Sequence, residues 1–153
     1  MGYEAERLIV RPFVPADQTT ARRLILDGLG EHFGSIDKKL NPDLNDIAAS
    51  YLVPGDLFVV AHLGEELVCT GALVHEEPGV GRLVRMPVRS TVRRRGVGRA
   101  LVTHLITAAR QRRYHRLVLE TNTDWDDTIG LYIACGFAEC ARTPDEINLA
   151  RDL

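Results

Sequence analysis

Residues 90–102, STVRRRGVGRALV, gather Arg93, Arg94, Arg95 and Arg99 around Gly96 and Gly98, immediately before an amphipathic run. Residue types in this order suit the holding of phosphate. Backbone N–H groups at a helix start lack intrahelical acceptors, and the helix dipole adds partial positive charge there. Glycine lets a ligand approach the chain with no Cβ in the way, and guanidinium groups pair with phosphate oxygens. Two other phosphate loops are excluded by spacing. The string has no Gly-x-x-x-x-Gly-Lys-Ser/Thr, and Leu101 stands where Gly-x-Gly-x-x-Gly needs its third glycine. The thiols offer less. Cys69, Cys135 and Cys140 cannot all pair within one chain, and Cys135 and Cys140 lack a second ligand pair at zinc spacing, so they read as small apolar residues in or near the core.

The elements that must position this turn form one pattern. Leu8–Phe13 reads as a strand and 15–33 as a helix with Ala21, Leu24, Ile25 and Leu29 on its apolar face. GSIDKKL is a loop, and Asn41-Pro42 opens a short helix through Tyr51, with Asn41 as its cap. LFVVAHL, ELVCTGALVHE and RLVRMPV follow as strands. A helix over Gly96–Arg112 buries Val97, Leu101, Leu105 and Ala108; RLVLETN is the next strand. Asp124 caps a helix from Trp125 to Cys135 that Gly136 ends, and FAECAR and INLARDL close the chain as strands. The order β–α–α–β–β–β–α–β–α–β–β makes a single mixed α/β domain over residues 1–153.

Composition sets the class. With 153 residues, 45% hydrophobic and 26% charged, the chain is globular, and no apolar run reaches membrane-helix or signal-peptide length. Gly2 lacks a myristoylation context because Glu6 occupies the Ser/Thr position. A cytoplasmic protein with no membrane partner is expected. The net charge of −2 conceals an asymmetry: eleven arginines and no acid lie between Arg82 and Arg116, leaving eight basic and twenty-one acidic residues elsewhere. A nucleic-acid module is the rival use of such a patch. Stacking aromatics should accompany it, yet only Tyr114 lies in that third, so nucleic acid is not expected as a partner.

Arg93-x-x-Gly96-x-Gly98 resembles the Gln/Arg-x-x-Gly-x-Gly/Ala signature of the GNAT superfamily of acyl-CoA-dependent N-acyltransferases. IVRPFVPADQ at the start and IGLYIACGF near the end are similar to the same family's first strand and Leu-Tyr-x-x-x-Gly-Phe pattern. The likeness runs over essentially the whole chain. It implies a GNAT-like sheet split between the fourth and fifth strands, acetyl-CoA as cosubstrate without a metal, and acetyl transfer to a primary amine within a ternary complex. A non-catalytic CoA-binding module is the alternative.

Carried over, the likeness gives the pyrophosphate to the amides of Arg94, Arg95, Gly96, Val97, Gly98 and Arg99, with Arg93 opening the motif. It gives the thioester oxygen to the Met86 N–H at a strand bulge marked by Pro87, and the pantetheine arm to the Val88 backbone. Tyr132 matches the acid that protonates the CoA thiolate. Trp125 departs from the asparagine common at that helix start, and Asn122 is the nearest substitute contact. Arg110, Arg112 and Arg113 read as a solvated face. The general base stays open among Glu120, His75, Glu76 and Glu31-His32. The acceptor side, with Glu31, Asp37, Asp43 and Asp46 against Lys38 and Lys39, favours a cationic small-molecule or peptide amine, and a homodimer stays open.

Overall fold

The computed structural model describes residues 7–33 and 41–153. Among them, seven strands form one sheet: β1 (Leu8–Pro12), β2 (Leu57–Leu63), β3 (Glu66–Glu77), β4 (Val80–Val84), β5 (Arg116–Asn122), β6 (Ala138–Arg142) and β7 (Glu146–Asp152). Their spatial order is β1-β2-β3-β4-β5-β7-β6. Every pairing is antiparallel except β4 with β5. The helices are α1 (Gln18–Phe33), α2 (Val97–Gln111) and α3 (Asp126–Ala134).

The core lies on both faces of the sheet. Phe58 and Val60 of β2 join a cluster with Leu24, Ile25 and Leu26 of α1, while Val59, Ala61 and Leu63 face Leu101, Leu105 and Ile106 of α2. A strand buried on both sides reads as a continuous apolar run, as LFVVAHL does. The entry to α1 is fixed by Asp17, whose carboxylate accepts two 2.8 Å hydrogen bonds from the Arg11 guanidinium and one from the Val14 amide.

Four local expectations change. The helix expected over residues 42–51 is a 3-10 turn (Pro42–Asn45) followed by one π-helical turn (Ala48–Leu52). Asp46, extended at φ −150°, separates them, and its carboxylate rather than Asn41 takes the capping role by accepting the Ala49 amide. Gln18 of α1 holds this segment, donating to Leu44 O and accepting from the Ile47 amide. Helix α3 begins one residue late with Trp125 at the cap position, so Asp124 is not the cap, although Gly136 ends it at φ 91°. On α2 it is Ala109, with Val102 and Ile106, that is buried instead of Ala108. The strand expected over residues 82–88 runs instead from Val80 to Val84.

That last difference creates the site. Val84 pairs with Ala72 of β3, and the pairing resumes where Val88 meets Cys69, so Arg85, Met86 and Pro87 stand against only Thr70 and Gly71. One extra residue makes a bulge. Beyond Arg82 and Val118 the parallel pairing of β4 with β5 also ends, and the sheet opens.

Candidate active site

The opening between β4 and β5 is a cleft of about 500 Å3. Its floor and one wall come from Leu83 to Val88, the other from Leu119, Glu120 and Thr121, and its far end from Arg93, Arg94 and the start of α2. The chain reaches α2 through two left-handed residues, Arg94 (φ 64°) and Gly96 (φ 80°). Gly96 occupies the cap position without a side-chain cap, and the first turn of α2 contains no acid. The first intrahelical bond on this turn runs from the Ala100 amide to Gly96 O, so the N–H groups of Val97, Gly98 and Arg99 have no acceptor inside the helix. Free amides and the helix dipole together favour an anion at such a helix start. A Cβ on Gly98 would lie 3.0 Å from Leu131 Cδ2 and 3.4 Å from Val88 Cγ2; hydrogen there lets α2, α3 and the bulge converge.

The bulge is held from both sides. Thr70 donates its hydroxyl to Arg85 O, Arg89 N–H donates to Val68 O, and Arg85 sits at φ 57°. A Cβ on Gly71 would come within 2.5 Å of Met86 Sδ, so that glycine makes room for the methionine. No hydrogen bond joins the Met86 amide to any described residue, and Met86 lines the cleft. Val88 borders it too, with its carbonyl accepting from Arg93 Nε.

Tyr132 reaches the cleft from α3, 4% exposed, its ring edge-on to Phe137. Burial raises its hydroxyl well above the ordinary phenol range, so it carries its proton at neutral pH. Beside it on β5, Thr121 Oγ1 is buried without a hydrogen-bond partner among the described residues. Buried hydroxyls in that state are uncommon in folded chains. Nothing in RLVLETN distinguishes Thr121 from an ordinary strand threonine.

The expected residues are not all in the cleft. Met86, Val88, Arg93, Arg94, Gly96, Val97, Gly98, Arg99 and Tyr132 line it; Arg95 and Asn122 do not. Asn122 serves the turn before α3, its carbonyl accepting the Trp125 amide, and Trp125 itself lines the cleft. Among the base candidates, Glu120 borders the cleft, His75 is exposed and outside it, and Glu76 is bound to Arg82. The side chains of Glu31 and His32, with Asp37, Lys38 and Lys39, lie outside the described residues. Cys69 is buried, its thiol pushed up to about 12 by desolvation, which removes it as a nucleophile.

A second cavity adjoins the first. Leu83, Val84, Arg85 and Glu120 line both, and Asp43, Tyr51 and Arg82 complete the second. Asp43 accepts from Arg85 Nε (3.1 Å), Arg85 Nη2 (2.8 Å) and the Tyr51 hydroxyl (2.5 Å). Burial alone would raise the Asp43 pKa, but those bonds outweigh it and hold the carboxyl below its usual range. Burial, then the Asp43 bond, pushes Tyr51 up to about 12. Arg82 bridges Glu76 and Glu120 across the point where the sheet opens.

Residues 23–137 match the sequence model of the Acetyltransferase (GNAT) family. The chain belongs to that family. N-acetyltransferase 8B of Rattus norvegicus is 40% identical over 108 residues, 67% of this chain and 49% of the relative. Human N-acetyltransferase 8 is 32% identical over 71% of this chain and 50% of its own length. The chain thus spans about half the length of the curated relatives it matches. The fold agrees with solved structures: a GNAT-family acetyltransferase from Staphylococcus aureus Mu50 superposes with TM-score 0.87 at 22% identity, covering 96% of this chain and 99% of that one. The PaiA N-acetyltransferase from Thermoplasma acidophilum, solved in complex with coenzyme A, gives 0.83 at 11% identity, covering 96% and 99%. No helix among the described residues is long and apolar enough to cross a membrane, and no cluster of three or more metal-ligating side chains occurs among them.

Proposed function

We propose that this protein transfers an acetyl group from acetyl-CoA to a primary amine. The observation that carries the reading is the Met86 amide, left without a hydrogen-bond partner at a bulge inside a cleft whose far end is the open N-terminus of α2. The cleft fits the cosubstrate on its own terms. The amides of Val97, Gly98 and Arg99 suit the pyrophosphate, and the Val88 backbone beside the bulge suits the pantetheine arm.

When bound, acetyl-CoA supplies a thioester carbonyl open to attack. The Met86 N–H, which has no partner among the described residues, holds the negative charge that develops on that oxygen, the role of a preorganised oxyanion donor. Glu120 takes the proton that the attacking nitrogen must lose. Its Oε1 accepts from Arg82 at 2.7 Å, Oε2 makes no hydrogen bond with a described residue, and Glu120 borders both cavities. Tyr132, held protonated by burial, gives its proton to the departing sulfur as the carbon–sulfur bond breaks.

The ion pairs weigh against a nucleic-acid module. Arg82, Arg85, Arg89, Arg94 and Arg116 all pair with acids, which breaks the basic stretch into separate spots. They also temper the charge argument for the acceptor, since Asp43 is already matched by Arg85. The test is a panel of primary amines incubated with acetyl-CoA and followed by mass spectrometry of the products. Acetylated amine with equimolar CoA is expected; CoA binding without transfer to any amine would leave only the non-catalytic binding module.

A further inference from the structure

Resting on the reading of Glu120 as the group that takes the amine proton, we infer that Glu76 is a positioning residue, acting through Arg82 to keep Glu120 fit for that task. The three side chains form one chain of charges. Glu76 holds the forked edge of the Arg82 guanidinium, with Nε donating to Oε2 at 2.8 Å and Nη2 to Oε1 at 3.0 Å. That leaves Nη1 for Glu120, whose Oε1 accepts it at 2.7 Å. Two features of the sheet set this up. Arg82 meets Val118 at the last paired step of β4 with β5, and Glu120 lies two residues further along β5, on the same face as Val118. Glu76 is the extra residue of a bulge in β3, between His75, which meets Gly81, and Glu77, which meets Val80. Bulges re-aim side chains, and this one brings a carboxylate to the strand neighbour that reaches across the opening.

One guanidinium shared between two carboxylates cannot neutralise both. Its stronger hold is on Glu76: the Arg82 bond is the main influence on that carboxyl and keeps it below its usual range. Glu120 is left with a single bond and one oxygen free of described partners. Donors that bind the charged form of a carboxylate lower its proton affinity, and a base must hold a proton. Without Glu76, the two-nitrogen edge of Arg82 is free to turn onto Glu120, the geometry in which guanidinium and carboxylate pair best. A neighbouring negative charge is lost at the same time. Both changes make Glu120 a weaker base. The other charged groups around it are matched or silent. Asp43 pairs with Arg85 and Arg116 with Asp152, Tyr51 and Tyr132 keep their protons, and Asn148, opposite Glu120 on β7, has no charge. His75 acts on Glu76, and Glu146 stands at the strand end opposite Asn122.

The measurement is a carbon-13 NMR titration of the glutamate carboxyls in the full chain, for the parent, Glu76→Gln, Arg82→Gln and the double variant. Glu76 and Glu120 are both part-exposed, so water screens the coupling and shifts of about half a pH unit are expected. Glu120 should titrate lower than in the parent in Glu76→Gln, and higher in Arg82→Gln. Adding Glu76→Gln to Arg82→Gln should leave Glu120 nearly unmoved, because the influence runs through the guanidinium. An unchanged Glu120 titration in folded Glu76→Gln overturns the inference, since a tie that only fastens the sheet would lower the melting temperature and leave that titration alone. A full shift that persists without Arg82 overturns it too, because it would be direct repulsion. If the Arg82 variants do not fold, Glu76→Gln and Glu76→Ala decide the matter by the same downward shift or its absence. The pH profile of kcat/KM for an amine acetylated in the panel tests the underlying reading separately. Its acid limb should follow Glu120 downward in Glu76→Gln. A moved titration with an unmoved acid limb supports the link from Glu76 to Glu120 and overturns Glu120 as the base.

Discussion

The two halves of the cleft are built from different materials. The half at the start of α2 is made of backbone: outward amides, a left-handed Gly96, and a Gly98 that admits its neighbours closely. The half beneath Arg85 is made of side chains: Asp43, Tyr51, Arg82, Arg85 and Glu120, tied by ion pairs between distant segments. Backbone recognition depends on conformation and is indifferent to most side chains, so it suits a cosubstrate part that never varies. Side-chain recognition changes with every substitution, so it suits the partner that defines one enzyme against another. The bulge at Arg85–Pro87 joins the halves: Arg85 reaches toward Asp43 while Met86, the next residue, lines the cleft.

The largest effect expected lies between the halves. Tyr132→Phe keeps the ring packed on Phe137 and removes only the hydroxyl. If that hydroxyl protonates the leaving sulfur, kcat falls about 10² to 10⁴-fold with CoA affinity nearly unchanged. Steady-state kinetics beside a CoA titration separate this from a packing role, which would alter the melting temperature and leave turnover intact.

The backbone half should respond to conformation alone. Gly96→Val forces a β-branched residue to φ 80°, although nothing lies within 4 Å of the added Cβ. Left-handed backbone costs about 1–2 kcal/mol for such a residue, so CoA affinity should weaken roughly tenfold with the fold retained. Gly98→Val is a less direct probe, because its Cβ presses on Leu131 before any ligand arrives. Normal CoA affinity in a folded Gly96→Val protein would show that the phosphate end is misplaced.

The smallest effect is on stability, in the side-chain half. Asp43→Asn removes the charge facing Arg85, and loss of a part-buried charged partner costs about 1–3 kcal/mol. For a chain of this size that lowers Tm by roughly 2–4 °C per kcal/mol. The sign with pH follows from the depressed folded pKa. The Asp43 carboxylate contributes stability above its unfolded pKa, near 3.9, and loses it as pH falls through the lower folded value. Melting curves of parent and variant should differ most near neutrality and converge toward strong acid. A gap that widens in acid would contradict the pairing.

The same contrast explains what could be read in advance. Arg93-x-x-Gly96-x-Gly98 is a local string whose conformation follows from its own residues, and its place on one cleft with Met86, Val88 and Tyr132 is what the family resemblance implied. Pro87 gave away the bulge because it cannot donate to a ladder. Asp43 and Arg85 are 42 residues apart, and Arg82 and Glu120 are 38 apart. No spacing rule connects such pairs; they meet only because the sheet brings β4 beside both the turn after α1 and β5. For the same reason Glu120 stood level with four other base candidates, and Asn122 looked like a cofactor contact although its carbonyl is used by the Trp125 turn. Thr121 was hidden by being chemically ordinary, and only its lack of a partner in the folded chain marks it.

If the arginine–glycine turn and the bulge together hold acetyl-CoA, the protein binds CoA in preference to nucleic acid. Calorimetric titration of the purified protein with CoA, with a mixed-sequence oligonucleotide as competitor, tests it most directly. Saturable binding at one CoA per chain is expected, with displacement by CoA of any oligonucleotide held at low salt. Undetectable binding at millimolar CoA, or a tight oligonucleotide complex that CoA cannot displace and that weakens steeply with salt, would contradict it.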